Sequence, residues 1–399
     1  MPARWVPIVV AVACALVPVR VGATDWPAAL RDVAVLDDPS GQLGIEEVAA
    51  APPARFRPLP TAAWAGGFTR GAHWLRFTVD FRLFEPDPAR AGAFLVRRAG
   101  DTLPFAAREV AYRGFVFKLH LTDARPRTYY LRVASTSTTA AYLRLWRPDA
   151  FIAAASREQA LLLVPPVVVL TVLLLNVAAW RWLPERLVPW FLAYAACVTT
   201  TLLANAGFLS QFVLPDLPEA GYYVMGLGTT LSVGAGHALY RRLFLVTREQ
   251  PVLYWLYTGL AAAGVLASAP VLFGYNREVM AAIFAVTPLM NVSGAVLAVR
   301  MWRRGGPGGL PMLAANLMSM LGIFVFSLSA HGAIADSAGL LYSVPAAMMG
   351  STVALHLAMN ARHRAMLVER QQAIDEAARE RRVREQQGRF IDLISHEYR

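Results

Sequence analysis

The chain is 399 residues long, 56% hydrophobic and 16% charged, with a mean hydropathy of +0.42. Soluble domains carry roughly 25% charged residues, so this composition excludes an ordinary soluble enzyme and indicates a membrane protein with room for two or three domains. The net charge is +11 and almost entirely arginine, Lys118 being the only lysine; over 24–158 basic and acidic residues are mixed without a basic run, which argues against a nucleic-acid partner.

The first residues, MPARWVPIVVAVACALVPVRVGATDW, join a basic start to an apolar run and a small-residue ending. They predict a signal peptide over 1–23, cleaved after Ala23. An uncleaved anchor helix and a lipoprotein modified at Cys14 are the alternatives; in each case residue 24 onward starts outside the cytoplasm. With only Cys14 and Cys197 present, the mature chain has no disulfide framework.

Residues 24–156 read as a soluble, strand-rich domain. In WLRFTVDFRLF, Leu75, Phe77, Val79, Phe81 and Leu83 alternate with polar residues, the pattern of a half-buried strand. FVFKLHL (Phe115 to Leu121) and YYLRV (Tyr129 to Val133) alternate in the same way, and Pro/Gly clusters separate the runs. An antiparallel β-sandwich is predicted. Trp64, Trp74 and Trp146 suit either its core or a ligand pocket, so the ligand-binding residues stay unknown.

From residue 159 seven apolar segments of spanning length follow, at 159–180, 188–211, 221–240, 252–273, 279–299, 309–330 and 338–359. With residue 24 outside, the inner loops 180–187, 241–251 and 300–308 hold eight arginines against Glu185 and Glu249. The outer loops hold Arg277 against Asp216, Glu219, Glu278 and Asp336. This is the positive-inside pattern, and seven spans then place residue 361 onward in the cytoplasm.

Within the spans, His237, His331 and His356 are candidate haem ligands, but all lie near span ends, which favours structural or interfacial roles. Asn176, Asn205, Asn291 and Asn316 suit interhelical hydrogen bonds better than a transport path. Gly228, Ser232 and Gly236 form a small-residue ridge for close helix packing, and Pro165–Pro166 should kink the first span. No metal-ligating set is present.

Residues 361–388 are charged and helix-favouring. Leu367 and Ile374 are seven apart, as are Val383 and Phe390, with a phase break between the pairs. This predicts a short interrupted coiled coil, a lone solvated helix being the alternative. The final stretch RFIDLISHEYR is an amphipathic helix by spacing. At roughly 100° per residue, Phe390, Ile391, Ile394 and Tyr398 share one face and His396 lies opposite, pointing to solvent.

FIDLISHEYR resembles the H-box that opens the dimerisation and phosphoacceptor domain of sensor histidine kinases, through Phe390, Ser395, His396, Glu397 and Arg399. The preceding residues resemble the bacterial seven-transmembrane receptors with diverse intracellular signalling modules, whose strands resemble 74–77 and 129–133. The resemblance implies a multi-domain membrane protein. A periplasmic antiparallel β-sandwich of carbohydrate-binding-module or jelly-roll type (24–156) would be followed by a seven-helix transmembrane bundle (157–360). A cytoplasmic coiled-coil signalling helix (361–388) and the start of the phosphoacceptor domain (389–399) would complete the chain. It further implies a two-component sensor kinase of the bacterial inner membrane, with His396 as phosphoacceptor and Glu397 as general base. The expected partners are a second copy through the cytoplasmic helix, a response regulator, a periplasmic small molecule or carbohydrate, and membrane lipid. The kinase pattern continues past this arginine with a second helix and an ATP-binding domain. The chain is therefore expected to be a fragment, with ATP and Mg2+ bound downstream and neither cofactor nor metal held by 1–399. Two rival readings are a receptor without kinase activity whose tail docks partners, and a transporter or haem protein.

Overall fold

The computed structural model describes residues 30–59, 63–67, 71–79, 97, 99–100, 103–119, 127–134, 139–180, 187–330 and 337–397. The expected signal peptide at 1–23, the far end of the Leu75 strand (Phe81, Leu83), His331, Tyr398 and Arg399 lie outside them.

The N-terminal domain is built on a four-stranded antiparallel sheet. Its strands are β1 (Leu30–Asp38), β2 (Arg57–Pro58), β4 (Ala72–Val79) and β5 (Arg127–Ala134), in the order β2-β1-β4-β5. A two-stranded antiparallel sheet pairs β3 (Ala63–Gly67) with β6 (Thr139–Tyr142). Side chains alternate across a strand, and here both faces of the larger sheet are covered. Ala34, Leu36 and Trp74 pack with Val48 of the short helix α1 (Ile45–Ala50) and with Phe56. On the other face Val35 and Leu75 pack against Trp64 of β3, joined by Leu131 and Val133. The start of β4 is therefore buried on both sides, from Ala72 through Leu75, rather than half-buried as its alternation suggests. Trp64 and Trp74 are core residues, each 6% exposed.

The expected strand at Phe115–Leu121 is not one over its described part, 115–119. Phe115 is left 47% exposed, and the Arg108 guanidinium lies 4.9 Å from the Phe105 ring and 5.1 Å from the Phe115 ring. The amide of Lys118 donates to Glu109 Oε2 at 2.9 Å, where a strand would use it in a ladder. Alternation here serves an arginine–aromatic stack, which period-two spacing alone does not distinguish from a strand.

One buried acid organises the β1 exit. Asp38 accepts from Ser40 Oγ at 2.6 Å, from the Gly41 amide at 2.9 Å and from the Leu43 amide at 3.0 Å. Burial by itself would raise its pKa, but these hydrogen bonds to the ionised form outweigh it and hold the carboxyl below its ordinary value. The stability it adds is present above the unfolded-state pKa of about 3.9 and is lost as pH falls through the lower folded value. Asp38→Ala is expected to cost the domain about 2–4 kcal/mol at pH 7, and less as the buffer is taken below pH 4. Equal effects at pH 7 and pH 3 in thermal unfolding would contradict this.

The rest is helical. In order come α2 (Pro148–Trp180), α3 (Val188–Asn205), α4 (Ala220–Leu243), α5 (Pro251–Leu266), α6 (Ser268–Leu272), α7 (Asn276–Arg303), α8 (Gly309–Ala330) and α9 (Ser337–Glu397). Successive helices pack on one another, and α9 returns to α2 to close the bundle. The segment expected at 252–273 divides into α5 and α6 around Ala267, because Pro270 has no N–H to offer the carbonyl of Leu266. Pro165 and Pro166 lie inside α2, which continues through them. Polarity is inverted relative to a soluble bundle. Asn176, Thr199, Thr230, Asn291 and Thr352 are buried, while Leu174, Leu175, Leu266, Leu289, Leu321 and Phe324 are exposed, as lipid contact requires.

Seven spans are expected from the sequence, and among the described residues six helices are long and apolar enough to cross a membrane. The segment that falls short is α4, a 24-residue helix rich in Gly, Thr and Ser. Its composition follows from its place in the bundle. A Cβ on Gly236 would lie 3.3 Å from the Tyr194 ring of α3, and one on Gly226 would lie 2.5 Å from Asn276 Oδ1 of α7. The predicted ridge of Gly228, Ser232 and Gly236 does face α3, and a second row, Gly226, Thr230 and Gly234, faces α5 to α7. Helix α4 is surrounded by protein, so small side chains replace the bulky apolar ones that lipid-facing helices carry.

Candidate functional site

The N-terminal domain meets the bundle through residues 103–119, and its strand β3 also contacts α8. Arg113 reaches into the end of α3, where Nε donates to the Ala206 carbonyl at 3.1 Å and Nη2 to the Asn205 carbonyl at 3.4 Å. Its Nη1 pairs with Glu158 of α2 at 3.0 Å. The last carbonyls of a helix lack internal partners and carry partial negative charge, so a guanidinium there satisfies them and neutralises Glu158 together. Gly207, at φ +78°, ends α3 in the left-handed conformation, and a Cβ there would lie 3.1 Å from Arg113 Cβ. Tyr112 packs edge-on against Phe151 of α2 at 5.2 Å. Burial, and then its hydrogen bond to Glu158, push the Tyr112 phenol well above its ordinary pKa, so it stays neutral and donates. The Phe105 amide also donates to the Pro215 carbonyl at 3.1 Å. One loop thus holds α2, the end of α3 and the segment after it.

A second junction lies at the opposite end of the bundle, where α9 leaves it. Arg362 Nη1 donates to the carbonyls of Arg242 and Leu243, both at 2.9 Å, capping α4. Six residues earlier, His356 stands between Asn176 of α2 and Asn360 of its own helix, at 3.0 and 2.9 Å. Asn176 Nδ2 also donates to the Val172 carbonyl at 2.7 Å. A carbonyl only accepts, so this atom is the amide nitrogen, and its second proton points to His356 Nδ1. A neutral imidazole has one donor and one acceptor nitrogen. Nε2 therefore carries the proton, and Asn360 must present its oxygen there, the amide orientation being interchangeable. The cluster opens on a cleft of about 240 Å³ that Val188, Met359 and His363 also line. From Met366 to Gln387 every residue of α9 is exposed.

Two family models match the chain. That described as 7TMR-DISM extracellular 2 matches residues 30–147, and that described as 7TM diverse intracellular signalling matches residues 167–362. The chain belongs to the 7TMR-DISM family. Comparisons with curated proteins and with solved structures found no match.

In this 7TMR-DISM receptor, a multi-pass membrane protein with an extracellular domain and a helical membrane domain, the two matched regions meet at the Arg113 junction. Ser395, His396 and Glu397 form the last turn of α9, on a helix that runs unbroken through residue 360 and Gly388; the side chains of 388–399 lie outside the description. His396 is some 30 residues beyond the point where α9 becomes fully exposed, or about 45 Å at 1.5 Å per residue. Of the other histidines, His237 Nδ1 donates to the Val233 carbonyl at 2.8 Å, and no group of three metal-ligating side chains occurs among the described residues. Asn176 makes the interhelical bond expected of it, as does Asn291, which donates to Ser319 Oγ at 3.0 Å. Asn316 donates within α8 to Met312 and packs on Gly294, and Asn205 contributes its backbone carbonyl. Sequence reasoning missed Arg113, Glu158 and Arg362. No short-range pattern links residues 45 or 120 positions apart; Arg113 reads as ordinary loop charge and Arg362 as one of many charges on the helix-favouring stretch 361–388.

Proposed function

We propose that this receptor is the sensing and transmitting part of a sensor histidine kinase in a two-component system. A small molecule or carbohydrate binds the periplasmic domain, seven helices cross the bacterial inner membrane, and α9 carries the response to His396 in the cytoplasm. The observation that supports this reading is the Ser395-His396-Glu397 sequence on a helix continuous with the last span. A ring nitrogen of neutral His396 attacks the γ-phosphorus of ATP, ADP leaves, and Glu397 takes the departing ring proton. A separate ATP-binding domain holds ATP and Mg2+, since positioning supplies most of the rate in phosphoryl transfer. The phosphoryl group passes to a response regulator, and two copies pair along the exposed part of α9.

The test joins residues 1–399 to a downstream kinase ATP-binding region and supplies radiolabelled ATP. Acid-labile label is expected on the joined protein and none on residues 1–399 alone. His396→Gln should abolish the label, and Glu397→Gln should slow its appearance by about 100-fold. Undiminished label in the His396→Gln protein would defeat the proposal.

A further inference from the structure

We propose that the groove between α7 and α8, at the end from which α9 leaves the bundle, binds an anionic phospholipid. This rests on the membrane-spanning bundle alone and is independent of the kinase reading. The groove has a volume of about 400 Å³, a floor of Val292, Val296, Val299 and Met320, and Arg300 and Arg303 at its mouth. Val292 and Val296 are 48% and 46% exposed, so the floor faces sideways, where acyl chains lie in a bilayer. Arg300 and Arg303 are exposed and have no hydrogen-bond or ion-pair partner for their guanidinium groups among the described residues. Arg304 adds a third cation with no side-chain partner among the described residues, and the sequence holds no Asp or Glu between Glu278 and Asp336. Among the described residues, the charge at the mouth is thus uncompensated.

Two features favour a lipid over a soluble anion. The site is an apolar trough with cations at one end only, which matches the shape of a phospholipid, whereas free phosphate would gain nothing from the trough. Trp302, 52% exposed between the two arginines, marks the depth at which aromatic rings settle at the headgroup boundary. An anionic headgroup is favoured because a zwitterionic one brings its own cation to the guanidinium groups. Arg300 and Arg303 also occupy the last turn of α7, where the helix dipole favours cations and fixes them at the mouth.

The full chain, purified in neutral detergent, is titrated with phosphatidylglycerol, phosphatidylcholine or inorganic phosphate, and bound adducts are counted by native mass spectrometry. Phosphatidylglycerol should bind roughly tenfold or more tightly than phosphatidylcholine, and phosphate alone should not bind. The R300Q/R303Q variant should lose that preference, while R370Q/R379Q, which removes the same charge from exposed α9, should keep it. V296W, which fills the trough and leaves the arginines, should weaken phosphatidylglycerol binding. All three variants should retain the helical circular dichroism signal, because the altered side chains are exposed. Preference surviving in R300Q/R303Q, equal loss in R370Q/R379Q, or free phosphate competing with the lipid would each overturn the site.

Discussion

Gly264→Leu is expected to prevent assembly of the helix bundle, while Gly259→Leu in the same helix is expected to leave it intact. At Gly264 a Cβ would meet the Gly234 amide nitrogen at 2.5 Å, its Cα at 2.8 Å and the Thr230 carbonyl at 3.0 Å. All three are backbone atoms of α4, so no rotamer change relieves the clash, and α5 must move away. That movement also breaks the Thr230–Ser268 hydrogen bond of 2.9 Å, which ties α4 to α6. Overpacking in yielding cores costs about 1–3 kcal/mol; a backbone contact of this closeness is expected to exceed that range. Gly259 has nothing within 4 Å of its would-be Cβ, so leucine there adds only surface. The measurement is the yield of monodisperse protein after extraction, with its unfolding midpoint. Similar yields from the two variants would show that α4 and α5 do not pack as described.

The second large effect is expected at Arg113. Arg113→Ala removes one ion pair and two hydrogen bonds to carbonyls at the end of α3, and leaves Glu158 without its cation. The two side chains keep 19% and 26% of their exposure, so solvent screens part of the interaction, and the expected local cost is about 2–3 kcal/mol. Amide exchange over 205–213 should accelerate by about 30-fold, the equivalent of about 2 kcal/mol, with exchange in α5 unchanged. Glu158→Gln should give a smaller acceleration, and the double variant should fall short of the sum of the two. The reversed pair R113E/E158R should rescue only in part, because a glutamate at 113 cannot donate to the α3 carbonyls. Unchanged exchange over 205–213 in Arg113→Ala would remove this junction as the route between the domain and the bundle. Under the kinase reading, the same variant in a phosphorylating parent is expected to keep basal labelling of His396 and lose its response to ligand.

The helical half of the molecule was the more legible. Lipid imposes continuous apolar stretches and internal backbone pairing, and both leave long, local marks, so the boundaries of α7 and α8 fall close to the runs that predicted them, while α3 starts where expected and ends six residues early, at Asn205. The N-terminal domain was less so. Strands β1, β3 and β6 were not singled out: β3 and β6 are short, and the partners that cover β1 and β3 are distant in the chain, Val35 packing on Leu75 and Trp64 on both.

By itself, the sequence determined that the chain is a membrane protein, where most of its spans lie, that β4 and β5 alternate, that a small-residue ridge marks α4, and that a Ser-His-Glu turn lies on a helical tail. Each of these rests on composition or on periodicity within one element. Only the tertiary structure decided that Phe115 stacks on Arg108 instead of joining a sheet, and that α4 is polar because protein surrounds it. Only there do Arg113 and Arg362 become caps on α3 and α4, and His356 a bridge to α2. These outcomes depend on hydrogen bonds and close approaches between residues as much as 180 positions apart, and at that separation no local pattern constrains the partner.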